Sequence, residues 1–402
     1  MQLSHKMFMI ACLTTAAFIG PAYAEDEVPP AVQAFLDNIE RQTQIEPAYD
    51  SVEEDGDGNV TLTNLSLTKA AEGDQPGMTV KIAESKFSGI TEEGESLYKV
   101  GNATFSNMTI DVTSKDGPFS MSMPEATAEG WYIRELGDNP TPQETILASS
   151  TFAKKMTGGK MTISAMGQTV TADGLETTWD GDAATGSGKY TMKLSNIAIP
   201  ESVLAMADQG GMLKQLGYTS LSFDLSGNGE VTMKGDTVDY DVNFGIAGHD
   251  IAALNFGIAA GGIPLAVYSE LQKAQASGKE PDFNALMPQL QNIAIKGARL
   301  RFEDASITKK LLPMLAALQG MDEKTMIASA GPMMQMGLMQ LQNEAFAKQT
   351  VDAVNAFLAA PKSLTVTAKP AQPIKVSEFM TMNPSAPGEA ITKLGVSVSS
   401  ND

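Results

Sequence analysis

His249 and Asp250 form the one histidine–carboxylate pair in the chain, and a general base beside an acid is where nucleophilic catalysis would start. A triad also needs an activated nucleophile, and no Gly-x-Ser-x-Gly elbow occurs. Read by itself, His249 stands at a strand end, where a histidine is ordinarily structural or exposed. The 48 acidic residues could supply a glycosidase-type carboxylate pair, but no spacing singles out two of them. Asp55-Gly56-Asp57-Gly58-Asn59 opens like a calcium loop. Such a loop needs Gly at its sixth position and an acid at its twelfth, where this chain has Val60 and Ser66, so the segment reads as a turn into a strand. Gly186-Ser187-Gly188-Lys189 has the outline of a phosphate loop. Ala183 replaces its first Gly and Tyr190 its magnesium-binding hydroxyl, which leaves a Gly/Ser turn before a strand.

Methionine is the unusual residue, with 24 copies. Met334-x-Met336-x-x-Met339 resembles a thioether copper(I) motif, yet Met334 and Met336 on one helix point about 200° apart and cannot share an ion. A deformable apolar helix surface is the better reading. Met326, Met333, Met336 and Met339 are its candidate ligand-facing residues. No catalytic residue, metal or cofactor is assigned.

The first 24 residues read as a secretory signal: His5 and Lys6, an uncharged apolar run over 7–20, then the small-x-small site Ala22-Tyr23-Ala24. The expected product is periplasmic, cut after Ala24. Cys12, the only cysteine, leaves with the signal, so the remainder folds in an oxidising compartment without disulfides. A net charge of −20 argues against nucleic acid and against the anionic face of a bilayer as partners. Residues 251–269 are uncharged for a near-membrane length, but Asn255, Gly257, Gly261, Gly262 and Pro264 interrupt them. A buried strand, a Gly-Gly turn and a helix from Pro264 are expected there, and no stable membrane span.

The elements that would position these residues show a repeat. Leu62-Thr63-Asn64-Leu65, Phe87-Ser88-Gly89-Ile90, Phe105-Ser106-Asn107-Met108, Ala128-Glu129-Gly130-Trp131, Ala172-Asp173-Gly174-Leu175 and Leu194-Ser195-Asn196-Ile197 share one pattern. A weaker copy is Ile295-Lys296-Gly297-Ala298. The spacing is about 22 residues, with one copy skipped. Alternation of apolar and polar residues around each copy predicts strands. Gly or Asn inside them predicts positive φ and a bulge or bend that re-aims the alternation. Helices are expected after Pro29-Pro30 (Val32, Phe35, Leu36, Ile39), over 199–216, 264–276 and 282–291, and through most of 306–360 with breaks near Gly320 and Pro332. Strands are expected over 221–245 around a Gly227-Asn228-Gly229 turn, at Leu364, Val366 and Ala368, and over 395–399. The region 277–281 reads as a linker.

The strand units over about 49–199 resemble the repetitive β-sheet envelope proteins of the AsmA-like group, which implies a long curved sheet with an apolar groove handling lipid. The runs Arg301-Phe302-Glu303-Asp304-Ala305-Ser306 and 357–366 resemble uncharacterised alphaproteobacterial exported proteins over about 298–401; that resemblance implies no activity. The sequence therefore predicts a β-rich α+β chain. Repetitive antiparallel strand units form a long twisted sheet, helices cover one face, and the C-terminal region is largely helical. Its parts are a signal (1–24), an N-terminal helix with the repetitive β region (25–199), and a mixed β/helical region with Met-rich helices near 306–360 (200–402). The expected function is non-enzymatic binding or transfer of an apolar envelope ligand such as lipid. An envelope scaffold with a protein partner is the alternative.

Overall fold

The computed structural model describes residues 28–71, 76–94, 96–115, 117–137, 139–208, 210–276, 283–383 and 385–402. The signal segment and the 277–281 linker lie outside the described residues. Contacts divide the chain into two units, one of residues 1–195 with 264–286, the other of 196–263 with 287–402. Seventeen strands occur among the described residues, and the pairings are antiparallel.

In the first unit, helix α1 (Pro30–Thr43) starts with proline at a position that needs no N–H donor and ends at Gln44 in the left-handed region. Its apolar spacing is the one expected. Val32 and Leu36 are buried, and Phe35 and Ile39 are partly so. Beneath it run β1 (Ser51–Glu54), β2 (Val60–Lys69), β3 (Gly77–Glu92), β4 (Leu97–Ser114) and β5 (Gly117–Arg134), each paired with the next. The Phe35 ring lies 5.5 Å from Phe87, 6.2 Å from Phe105 and 5.5 Å from Trp131. Asn38 Nδ2 donates to the Arg134 carbonyl at 2.7 Å and sets the helix register on β5. Helix α2 (Pro142–Ser149) carries a Thr141/Glu144 capping box. Strands β6 (Phe152–Gly158), β7 (Met161–Ala165), β8 (Gln168–Ala172), β9 (Gly174–Asp182) and β10 (Ser187–Ile199) continue the sheet. Helix α5 (Leu265–Ala276), later in the chain, packs on α2 in the same unit.

The Gly/Asn motif has a clear geometric role. Asn64, Gly89, Asn107, Gly130 and Asn196 all have φ between 48° and 62°. Through the first four of these the register of strand pairing is unchanged, so no residue is inserted: they are bends in register, not bulges. The ladder skips two lines of positions, Asn64–Ala83–Asn107–Pro124 and Gly89–Gly101–Gly130–Lys154. Within each line, a left-handed residue alternates with an ordinary one from strand to strand. Each left-handed residue reverses the side-chain phase, so Leu62 and Leu65 are both buried although three residues apart. Pro124 fits inside a central strand because its position carries no ladder bond. Gly174 does not take positive φ, and near Gly297 the device differs: the β13–β14 register itself shifts, between Ala259 and Ala260.

The second unit holds α3 (Glu201–Ala207), α4 (Met212–Gln215), β11 (Leu221–Lys234), β12 (Thr237–Gly248), β13 (Ala252–Pro264, to residue 263), β14 (Ala294–Asp304), β15 (Ser363–Ala368), β16 (Ile374–Lys375) and β17 (Val396–Ser400). Its helices are α7 (Ile307–Leu318), α8 (Glu323–Leu338), a 3-10 turn (Met339–Leu341), α9 (Glu344–Ala359), α10 (Val376–Met380) and α11 (Pro387–Lys393); α6 (Phe283–Leu290) straddles the division of units. Leu204, Leu216 and Tyr218 form a small core with Leu221, Ile251, Ile307 and Leu311, and Lys310 Nζ sits 3.8 Å above the Tyr218 ring.

Three expectations need correction here. Gly227-Asn228-Gly229 is not a turn: β11 runs through it, and Gly229 is needed because a Cβ there would collide with the Asp241 carbonyl oxygen. The turn is Gly235-Asp236, with Lys234 facing Thr237 and Gly235 at φ 63°. Pro332 does not break α8, whose helix continues to Leu338, whereas Gly320 at φ 68° does separate α7 from α8. The expected helix over 199–216 is two short helices. No described helix is long and apolar enough to cross a membrane.

Candidate apolar surface

Strands β11 to β15 sort their residues by face. Antiparallel partners share a face: Leu254 opposes Phe302, Phe256 opposes Leu300, and these oppose Leu364 and Val366 in turn. Strand β12 lies beside β13, since a Cβ on Gly245 would meet Asn255 Oδ1 and one on Gly257 would meet Asn243 Oδ1. Phe244 and Ile246 therefore belong with Leu254 and Phe256. The other face is polar: Ser226, Asn228, Asn243, Asn255, Arg299 and Arg301.

The polar face is internally satisfied where it matters. Arg301 Nε donates to Glu303 at 2.5 Å, and its Nη1 donates to Thr365 at 3.0 Å and to Asp402 at 2.6 Å. Ser399 and Arg301 together hold the Asp402 carboxyl down to about 2. Further along, Lys234, Lys296 and the Gly262 N–H converge on Asp239, and the hydrogen bond from Lys234 is the main reason its pKa lies far below the usual carboxylate range.

The apolar face is covered only in part. Helix α9 packs on β15 and β17, where Val398 is buried, and Phe357 meets Phe302 edge-on at 5.9 Å. On β12, Val238 and Val242 are buried. Between these lies an open stretch: Phe244, Ile246, Leu254, Phe256, Leu300 and Val366 keep 37% to 47% of their surface exposed. The expectation of a buried strand over the first part of 251–269 fails at Leu254 and Phe256. Six large apolar side chains open to this degree present roughly 400 Å² across three inter-strand spacings, or about 14 Å. A patch of that order falls within the range of the largest apolar patch on a typical monomer, which is often functional.

The methionine candidates lie in the same unit but on α8 and the turn after it. Met333, Met336 and Met339 are 69%, 71% and 70% exposed. Met326 is half-buried. The orientation follows from the packed side: Gly331 is buried against Asn355 of α9, where a Cβ would stand 3.0 Å from the amide. At 100° per residue, Met333 and Met336 then point 200° and 140° away from that contact. A shallow, mixed cleft of about 580 Å³ lies elsewhere, between α9 and β17, lined by Lys348, Asp352, Ala353 and Val398.

The remaining motifs become local structure. The Asp55 carboxylate accepts the N–H groups of Asp57 and Asn59 at 2.9 Å each and the Asn59 amide at 2.9 Å, which caps the β1–β2 turn. Gly186 closes a turn and Gly188 lies in β10. His249 has partners that sequence reading missed: Ser222 Oγ lies 2.9 Å from Nδ1, and Asp224 Oδ1 lies 3.4 Å from Nε2. The nitrogens are the reverse of a Ser-His-Asp triad, in which Nε2 faces the nucleophile. Asp224 Oδ1 also accepts the N–H of Asn196, a residue of the second unit, at 2.7 Å, so the cluster ties this segment to β11 and the end of β12. Among the described residues no three His, Cys, Asp or Glu converge as a metal site.

Residues 245–401 match the model of a protein family described as "Uncharacterized protein". The match spans β13 to β17 and the helices between them, and so most of the open apolar face. No curated protein matches the chain.

Proposed function

We propose that this chain is an exported, non-enzymatic protein of the bacterial cell envelope that binds or passes on an apolar ligand such as lipid. The observation that carries this reading is the open apolar face on β12–β15, where Leu254, Phe256 and Leu300 are held in register and, with Phe244, keep 43% to 47% of their surface exposed. The exposed methionines of α8 supply a second deformable apolar surface in that unit. The leading segment, read as a secretory signal, puts the protein in the periplasm, and the AsmA-like resemblance of the strand repeat agrees with a lipid ligand. A periplasmic protein partner seated on the same face is the second reading. It is favoured by the spread of the exposed side chains across four neighbouring strands, β12 to β15. It is opposed by the area, about half of the roughly 800 Å² per partner of a stable interface.

The test is native mass spectrometry of the exported chain purified from periplasm, followed by organic extraction. A stoichiometric lipid that is absent from the Leu254→Ser/Phe256→Ser variant is the expected result. A clean apo mass for the unaltered chain overturns lipid binding and leaves the protein-partner reading.

A further inference from the structure

The three exposed methionines have an electrostatic setting of their own. From Thr325 to Asn343 the chain carries no charged residue, in a protein that is 19% charged and has a net charge of −20. Within that stretch Met333, Met336 and Met339 are the most exposed methionines in the chain's described part, at 69% to 71%. Helix α8, which carries Met333 and Met336, packs through Gly331 against Asn355 on the side away from them, and the Asp322 side chain caps it by accepting the Thr325 N–H at 3.0 Å; Met339 lies in the 3-10 turn that follows. The thioethers therefore take little part in packing, and chemical change at sulfur leaves the helix contacts in place. By contrast Met78, Met123 and Met161 are 5%, 8% and 9% exposed, and sit in the core of the first unit.

We propose that Met333, Met336 and Met339 form a methionine-oxidation site, at which a neutral two-electron oxidant such as hydrogen peroxide makes an apolar ridge polar without unfolding the protein. A sulfur lone pair attacks one peroxide oxygen, the O–O bond breaks, and an S–O bond forms. The departing hydroxide takes up the proton and leaves as water. Sulfur is oxidised by two electrons and the peroxide is reduced by two. The product sulfoxide is a strong hydrogen-bond acceptor where a soft apolar group stood. The negative protein repels anionic oxidants, whereas an uncharged patch admits a neutral one. The consequence for ligand uptake rests on the apolar-ligand reading; the chemical selectivity does not.

The experiment treats the full exported chain with hydrogen peroxide and follows each methionine by peptide mass spectrometry, circular dichroism and binding of the neutral dye Nile red. The expected result is oxidation of Met333, Met336 and Met339 at least fivefold faster than of Met78, Met123 and Met161, with unchanged circular dichroism and weakened dye binding. The Met333→Leu/Met336→Leu/Met339→Leu variant is expected to keep its dye binding after the same treatment. Equal rates at ridge and core methionines, or loss of fold on oxidation of the ridge, overturn the site. Selective oxidation with the same loss of dye binding in the leucine variant overturns the switch in surface character. Failure to find a co-purified lipid leaves the selectivity test untouched, so the two readings fail separately.

Discussion

Ser85 is 0% exposed, and its hydroxyl has no hydrogen-bond partner. Its register neighbours are Leu62 on β2 and Phe105 on β4, both buried, under the aromatic cluster that α1 covers. A buried hydroxyl left unpaired costs about 1–3 kcal/mol. Ser85→Ala removes that cost and leaves a gap of about one atom, worth a few tenths of a kcal/mol at ~24 cal/mol per Å³. The net expectation is stabilisation of the first unit by about 1–2 kcal/mol, or roughly 2–6 °C in Tm for a unit of this size. Both tryptophans, Trp131 and Trp179, belong to that unit, so tryptophan fluorescence during thermal or urea unfolding reports on it. Ser85→Thr keeps the hydroxyl and adds a methyl to a filled site, and overpacking there is expected to destabilise by about 1–3 kcal/mol. A Ser85→Ala protein less stable than its parent by more than about 0.5 kcal/mol would refute the reasoning, because the hydroxyl would then be contributing a bond.

The bends in the first sheet give a second test. Gly89→Ala forces a Cβ into φ 62° and is expected to cost about 1–2 kcal/mol, while Asn107→Gly is expected to change stability by well under 1 kcal/mol; urea midpoints distinguish them. In the second unit, Gly229→Ala drives a Cβ into the Asp241 carbonyl and should lower its melting temperature clearly, as read by far-ultraviolet circular dichroism. For Asp239, the folded carboxyl titrates below its ordinary value, so its ion pairs stabilise the fold above about pH 4 and that contribution is lost as pH falls further. Asp239→Asn should therefore be less stable than the parent at pH 7, and the gap should narrow as the pH is lowered towards 2.

The Gly/Asn positions were legible because their chemistry is local. Few other residues accept positive φ, and the phase change from Leu62 to Leu65 is visible in the letters themselves. What was not legible is that the bends line up across strands without inserted residues, because register is a property of pairs. Gly227-Asn228-Gly229 misled for a related reason. Glycine serves close approach as well as turns, and only the Asp241 carbonyl on the neighbouring strand shows which. The competing signal, Gly235-Asp236, was equally present and is the two-residue turn. Ser222 and Asp224, two apart on one strand, could have been joined to His249 only by knowing that β11 and β12 pair.

The open face makes the same point about function. Val238, Val242, Phe244 and Ile246 alternate along one strand and look alike as a pattern, yet the first two are buried and the last two are not. Alternation determines which face a side chain takes; whether that face is wet depends on what lies over it. Helix α9 reaches β15 and β17 and stops at the Phe357–Phe302 contact. Beyond it, leaving six large side chains nearly half exposed forfeits up to about 10 kcal/mol of burial at about 25 cal/mol per Å². Polar residues at Leu254 and Phe256 would carry no such penalty and would pair equally well in the ladder. A chain with Leu and Phe there forgoes stability as a monomer that an apolar occupant would supply, so saturating such a ligand should raise the melting temperature read by far-ultraviolet circular dichroism.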